Sequence, residues 1–392
     1  MSGFKKEVKI TDAHFPRQAG STLSVDDKLK VVYNKFSSTI PPPEDKIRIN
    51  LLFSHGTGMN KEIWNYHIEK LFKDSYNQDH WYLGSVISFD CTSHGDSGVL
   101  NKDKLGWTYG WIDGGKDIIS IVKHENDTCN DFLNNINSKN IIIGHSLGGH
   151  QVMVAGFLEP QLFDTIIPIE PVFYSPDHRF FHLFVERFKK VQKFIRDTFD
   201  SKEDFYEYYT KFAFTKDMHP RVSQDYIDNE FYEVYDPATK TTKYKSKASK
   251  IGQMATYLSS YWSLEQSTAM IPHMRCKICY VWGEKARWNP PGTEEYFIEN
   301  ANPANLLEYH CVKDGTHLLN GELPDETVKI IEGVIAKRSK TAYEDKDCYP
   351  EIKFKNRPTE EIKEEFLKAM LDNKMDEVVH FSKTPLPLPP KM

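Results

Sequence analysis

Two segments of this 392-residue chain hold residue types that could carry covalent chemistry, Gly144-His145-Ser146-Leu147-Gly148 and Asp314-Gly315-Thr316-His317. A serine hydroxyl is a weak nucleophile until a base takes its proton and the backbone holds it clear of its neighbours. Ser146 has the surroundings for this. The apolar run Ile141-Ile142-Ile143 leads into it and helix-forming sequence follows, while Gly144 and Gly148 let the chain reverse sharply without a Cβ clash. Its hydroxyl would then stand above a sheet, at a helix N-terminus. His317 lies after the last apolar run, in a short Gly-containing loop before a helix, and so follows the serine in the order expected of a general base.

Acyl transfer through a serine also needs hydrogen-bond donors for the oxyanion. The Leu147 N–H, just after the serine, is expected to be one. His55-Gly56-Thr57-Gly58 follows an earlier apolar run and is expected to supply the other through the Thr57 N–H, with Gly58 as the alternative. His55, Gly56, Gly58, His145 and Trp288 are expected around the substrate. His55, His94 and His145 all sit beside glycines in loop motifs, so orienting the backbone is the plainer role for each, and His94 is the weaker candidate for lining a pocket.

These residues need a frame to bring them together. Short apolar runs recur at Ile49 to His55, Val86 to Asp90, Ile141 to His145, Thr165 to Glu170, Lys277 to Gly283 and Leu306 to Val312, separated by helix-length segments. That spacing predicts an α/β fold with a mostly parallel sheet flanked by crossover helices. Between Glu170 and about residue 270 the pattern gives way to aromatics at helical spacing, Phe180, Phe181, Phe184 and Phe188, then Phe205, Tyr208, Tyr209 and Phe212. An inserted helical cap is expected there, its aromatics mainly packing one another and a minority lining an apolar pocket. Ser201 to Asp204 resembles a capping box that starts a helix. The expected division is a first core segment (1–170), a cap (171–270), a second core segment (271–340) and a C-terminal helix with an extended tail (341–392). The stripe Ile362, Phe366, Leu367, Met370, Leu371, Met375 and Val378 needs a surface to dock on, in the same subunit or in a homodimer.

Composition excludes several classes. The net charge of −6 is interspersed along the chain, without the basic stripe that nucleic acid requires. No apolar run approaches the roughly 18 residues of a membrane span, and the charged N-terminus lacks the apolar core of a signal peptide, so a soluble, non-secreted protein is expected. The six cysteines are scattered rather than clustered, as in a reducing compartment. Cys276 and Cys279 form a C-x-x-C inside a predicted strand, where a packing role is expected and neither a metal nor a cofactor is.

Taken together, His55-Gly56, Asp90 to Gly98, Gly144 to Gly148 and Gly315-Thr316-His317 resemble the α/β-hydrolase superfamily over most of residues 45–340. Ile169-Glu170-Pro171 and Trp288-Asn289-Pro290-Pro291 are similar to motifs of the fungal peroxisomal lipase-like hydrolases. The resemblance implies a triad acid, usually placed after the seventh strand, but Gly283-Glu284-Lys285-Ala286 puts an alanine at that position. Glu170, after the sixth strand, is the favoured acid, with Glu284 or no acid as the alternatives. The implied function is a serine hydrolase of acyl esters, of carboxylesterase or lipase type and acting on fatty-acyl substrates. An acyl-CoA thioesterase would share the machinery, and a basic cluster at the pocket mouth would favour it. Epoxide hydrolysis needs a carboxylate where Ser146 stands, and a catalytically weak hydrolase-fold binding protein is the remaining alternative. The resemblance also implies a peroxisomal matrix location, with Pro390-Lys391-Met392 read by the import receptor even though proline replaces the usual small residue. A cytoplasmic location is the alternative.

Overall fold

The computed structural model describes residues 3–43, 45–177, 180–237, 240–344 and 354–372. Its centre is an eight-stranded sheet of β1 (Phe4–Asp12), β2 (Lys30–Ser38), β3 (Ile47–Ser54), β4 (Trp81–Phe89), β5 (Ser138–His145), β6 (Thr165–Ile169), β10 (Lys277–Gly283) and β11 (Leu306–Val312), in the order β1-β2-β4-β3-β5-β6-β10-β11. From β4 to β11 every neighbouring pair is parallel, and β2 runs antiparallel to both β1 and β4. The central strands are buried at nearly every position because helices cover both faces. Leu51, Phe53, Ile141 and Ile143 enter the core on one side, while Leu52 and Ile142 enter it on the other.

Sequence reading missed β1 and β2, and the reason is physical. β1 is a charged edge strand, with Val8 and Ile10 left exposed, so it lacks the apolar run that marks the inner strands. It is tied down by ion pairs, Lys6 to Glu62 at 2.7 Å and Lys9 to Glu125.

Between β6 and β10 the chain leaves the sheet. The helices Phe180–Phe194, Lys202–Lys211, Pro220–Asp228, Lys250–Leu258 and Tyr261–Met270 stand beside a second, three-stranded sheet of β7 (Thr198–Phe199), β8 (Phe231–Asp236) and β9 (Thr241–Ser246), in the order β7-β9-β8. The Ser201 hydroxyl accepts from Asp204 N–H at 3.0 Å and caps the second of these helices, as its sequence suggests. Phe184, Phe188, Phe205 and Tyr209 are buried, while Phe212 is exposed. The insertion is thus not purely helical. The β8–β9 hairpin is polar on its outer face, which hides its alternation from a search for apolar runs.

Cys276 and Cys279 are both buried beside or within β10, and burial pushes the Cys276 thiol up to about 12. The C-terminal stripe is only partly described. In the helix Thr359–Leu371 only Ala369 is buried, and Leu367 and Leu371 are exposed. Met375, Val378 and Pro390-Lys391-Met392 lie outside the described residues.

The helix Leu147–Leu158 sits hard against the sheet, and a Cβ added at Gly148 would lie 2.3 Å from the Ser54 carbonyl oxygen. Backbone cannot yield as a side chain can, so Gly148→Ala is expected to destabilise the fold by about 1–3 kcal/mol. Gly333, exposed in the helix Pro324–Glu344, has open space around its missing Cβ. There Gly333→Ala should instead stabilise by about 0.5–1 kcal/mol through helix propensity alone. Urea denaturation of the two variants checks the pair, and equal shifts of the two midpoints would contradict it.

Candidate active site

β5 ends at His145, and the next residue, Ser146, turns the chain into the helix Leu147–Leu158 with φ 54° and ψ −113°. A non-glycine residue in this region is strained and persists only where its surroundings hold it. Here Ser146 N–H donates to the Ile169 carbonyl at 3.0 Å, and its own carbonyl accepts from His150 N–H at 3.1 Å and Val172 N–H at 3.3 Å. The side chain projects from this turn, and Ser146 Oγ lies 3.0 Å from His317 Nε2.

His317 follows β11 in a loop pressed against the end of β10. A Cβ at Gly283 would fall 2.4 Å from the Gly315 carbonyl oxygen, and Lys285 N–H donates to that carbonyl at 2.8 Å. The other imidazole nitrogen, Nδ1, is 3.0 Å from Glu170 Oε2. Glu170 is fully buried just beyond β6, with φ 47°, and its Oε1 accepts from Gly283 N–H at 2.7 Å. Glu284 is turned elsewhere: its Oε2 accepts from Asp314 N–H at 3.0 Å on the exposed side of the loop. Of the two glutamates considered from sequence, Glu170 is the one within hydrogen-bond distance of His317.

Burial disfavours charge on both partners. It pushes His317 down to about 3, with the Arg187 guanidinium acting in the same direction, and it pushes Glu170 up to about 8 against the opposing pull of Gly283 N–H. His317 is therefore neutral at rest. Once Glu170 is ionised, His317 Nδ1–H donates to its carboxylate and the lone pair of Nε2 faces the serine hydroxyl.

A cavity of about 600 Å³ opens over Ser146 and His317. Gly56, Thr57, His145 and Trp288 line it, and so do Tyr208 and Phe212 from the insertion. The Trp288 indole stacks on the His317 ring, 5.3 Å between centroids and 19° between planes. His145 has a second task, since its Nε2 lies 2.6 Å from the His317 carbonyl oxygen and donates to it. Leu147 is the first residue of its helix, so its N–H has no intrahelical partner.

His55 and Gly58 stand behind the cavity wall rather than in it. His55 is fully buried, its Nδ1 bonded to the Gly56 carbonyl at 2.8 Å and its Nε2 accepting from Cys91 N–H at 3.1 Å, so both nitrogens serve the backbone. Gly58 has φ 80°, and its carbonyl accepts from the Tyr226 hydroxyl at 2.8 Å. His94 is also buried, beside Ser93 Oγ at 2.9 Å. Sequence reasoning missed Arg187, Lys285 and Arg287 on the cavity wall, and also the Gly283 N–H. A cation within a helix of the insertion carries no motif, and a backbone donor has no sequence signature at all. Among the described residues, Cys279, Glu308 and His310 bring ligand-type atoms within 4.8 Å of one another, but the Lys337 ammonium 3.8 Å from Glu308 already supplies a cation there.

The sheet order, the tight turn at Ser146 and the meeting of Ser146, His317 and Glu170 can be set beside known proteins. The family model of the alpha/beta hydrolase family matches residues 51–330. The chain is 27% identical over 347 residues to the peroxisomal membrane protein LPX1 of Saccharomyces cerevisiae, covering 84% of this chain and 86% of that protein. The solved structure of the peroxisomal alpha-beta-hydrolase Lpx1 from the same organism superposes with a TM-score of 0.76 at 24% identity, over 97% of this chain and 100% of that one. A shorter similarity, 26% over 164 residues, links 42% of this chain to 35% of the type I acyl-CoA thioesterase mpaH' of Penicillium brevicompactum. With more than half of its length matched by the family model, the chain belongs to the alpha/beta hydrolase family.

Proposed function

We propose that the protein is a serine hydrolase of acyl esters in which Ser146 is the nucleophile, His317 the general base and Glu170 the acid. The observation that carries this reading is the unbroken chain of contacts from Ser146 Oγ to His317 Nε2 and from His317 Nδ1 to Glu170 Oε2, each 3.0 Å. Ser146 attacks the acyl carbonyl while its proton passes to Nε2, and the imidazolium so formed is held by the carboxylate. The tetrahedral oxyanion takes the N–H groups of Leu147 and Thr57. The imidazolium then returns the proton to the departing oxygen, and water repeats the sequence on the acyl-enzyme.

The wall formed by Val191, Phe194, Ile195, Phe212, Phe214 and Leu318 suits an acyl chain. One observation favours a thioester of coenzyme A as a second reading. Lys285 and Arg287 are both exposed at the cavity, where phosphates of a leaving group could meet them, and the relative matched over 164 residues is named a thioesterase. For location we propose the peroxisome, in keeping with the relative named above. A reporter fused ahead of the chain should give a punctate signal that becomes diffuse when Pro390-Lys391-Met392 is removed, and a diffuse signal from the intact fusion would oppose this.

A fluorophosphonate probe should label the wild-type protein and fail to label Ser146→Ala. An unlabelled wild type would end the serine-hydrolase reading. On short-chain aryl esters, Ser146→Ala and His317→Ala should each lose roughly 10⁴-fold or more in kcat, and Glu170→Gln should lose on the order of 10⁴-fold, whereas Glu284→Gln should stay within about twofold of wild type because its carboxylate caps the Asp314 amide at the surface.

The pH profile follows from Glu170. Its carboxyl is raised, so lowering the pH through about 8 adds a proton to the acid and removes the charge that stabilises the imidazolium. Accordingly kcat/KM should climb through neutral pH and level off in mildly alkaline solution. A profile already flat from pH 6 upward would contradict the raised carboxyl.

A further inference from the structure

The cavity is lined by apolar and aromatic residues together with three cations, Arg187, Lys285 and Arg287, and no carboxylate is among its described lining residues. The three cations are not equivalent. Lys285 is paired with Asp314 at 2.6 Å, both more than half exposed, and Arg287 is exposed and turned onto the Glu284 and Ala286 carbonyls. Arg187 is different. It lies partly buried on the helix Phe180–Phe194, and among the described residues no carboxylate comes within ion-pair distance of it. Its guanidinium lies 5.4 Å from the Trp288 ring and 5.7 Å from the Phe184 ring, and one nitrogen, Nη1, donates to the Trp288 carbonyl.

Trp288 stacks in turn on His317, so one indole lies against both the guanidinium and the catalytic imidazole. A partly desolvated cation without a counter-charge is costly in any protein. In this position it carries a second cost. Acyl transfer turns His317 into an imidazolium, and a positive charge against the same indole opposes that step by Coulomb repulsion. An anion bound to Arg187 cancels both penalties, and Arg187 lines the cavity with a guanidinium, whose planar fork of N–H groups suits carboxylates and phosphates.

We infer that Arg187 is a specificity-determining residue that binds an anionic oxygen group, carboxylate or phosphate, of an acyl substrate lying in this cavity. The inference rests on the ester-hydrolase reading and adds to it the charge of the substrate. The group comes either from the far end of the acyl chain, as in a half-ester of a dicarboxylic acid, or from the leaving group, as in a coenzyme A thioester.

Two matched pairs separate these sources: the ethyl half-ester of adipic acid against its primary-amide counterpart, and hexanoyl-CoA against S-hexanoyl-pantetheine. In at least one pair the anionic member should show a kcat/KM about 10-fold or more above the neutral one, and added salt should narrow the gap. Arg187→Met, which keeps the apolar stem against Trp288, should lower that ratio by about 10- to 100-fold. Arg187→Lys should restore part of it. Preference in the first pair assigns the anion to the acyl chain, and preference in the second assigns it to the leaving group. Ratios near one in both pairs, or ratios unchanged in Arg187→Met, overturn the inference. Should Arg187→Met fail to fold, the wild-type ratios, their salt dependence and the Arg187→Lys ratio decide it. Ser146 labelling by fluorophosphonate keeps the two ideas apart: labelling with flat ratios removes only the role of Arg187, whereas no labelling removes the ester-hydrolase reading beneath it.

Discussion

Much of this structure depends on one backbone conformation, the left-handed turn at Ser146. A serine there costs on the order of 1–3 kcal/mol relative to an ordinary backbone, and the parts around it are arranged so that the turn cannot relax. Gly144 and Gly148 approach so closely that a Cβ on Gly144 would lie 2.1 Å from the Gly148 carbonyl oxygen. The Ile169 carbonyl takes the Ser146 amide from the neighbouring strand. Relaxing the turn would part the helix Leu147–Leu158 from the sheet and move β6 away from β5. The strain is thus held by the most buried region of the molecule, and its result is a hydroxyl set above the sheet with the free amides of a helix N-terminus beside it.

The same constraint passes to the other two members of the proposed triad. Glu170 also has positive φ, at the residue where β6 leaves the sheet, and its amide is anchored to the Val281 carbonyl on β10. Its carboxylate is anchored to the next stretch of β10 through Gly283 N–H, and Gly283 is the residue against which the His317 loop is pressed. Three strand ends therefore set the distances among Ser146, Glu170 and His317, whereas a side chain on a long flexible loop would wander. This explains how the acid can follow the sixth strand. At the carboxyl end of a parallel sheet the ends of β6 and β10 are neighbours, and a longer side chain from one reaches the place that a shorter one from the other would occupy. Ala286 offers no carboxylate there, whereas Glu170 Oε2 lies 3.0 Å from His317 Nδ1.

What could be read in the sequence follows from how local each signal is. The inner strands announce themselves because both faces are buried, and Ser146 announces itself because a turn so tight needs glycines on both sides. His317 is legible through its order in the chain and its Gly-containing loop. Glu170 is legible only in part. The isolated Ile-Glu-Pro does not reveal that the residue is fully buried or that a backbone amide of β10 accompanies it. β1 and the small sheet of the insertion are obscure because edge and surface strands carry polar residues, and β2, an inner strand, is obscure because the buried Asn34 and Lys35 break its apolar run. The histidines divide in the same way. Residue type alone could not tell His145, which faces the cavity while bracing the His317 carbonyl, from His55, whose ring is spent on Gly56 and Cys91. Arg187 was invisible, because its meaning comes from Trp288 and His317, more than 100 residues away.

The insertion does more than roof the cavity. Its Tyr226 is fully buried and donates its hydroxyl to the Gly58 carbonyl, while Asn60 on the same loop donates to the Tyr226 carbonyl at 3.2 Å and to Glu230 Oε2 at 2.9 Å. The segment Gly56 to Asn60, which holds Thr57 beside the serine, is thereby hung from the insertion as well as from β3. Glu230 is fully buried, its other oxygen accepts from Ala248 N–H at 2.9 Å, and burial raises its carboxyl to about 7. Withdrawing Asn60 would leave that group short of a donor in an apolar setting, at a cost of about 1–3 kcal/mol. The insertion and the Thr57 loop are therefore joined through buried hydrogen bonds. The buried contacts of Tyr226 and Asn60 thereby hold in place the loop whose Thr57 N–H is the proposed oxyanion donor.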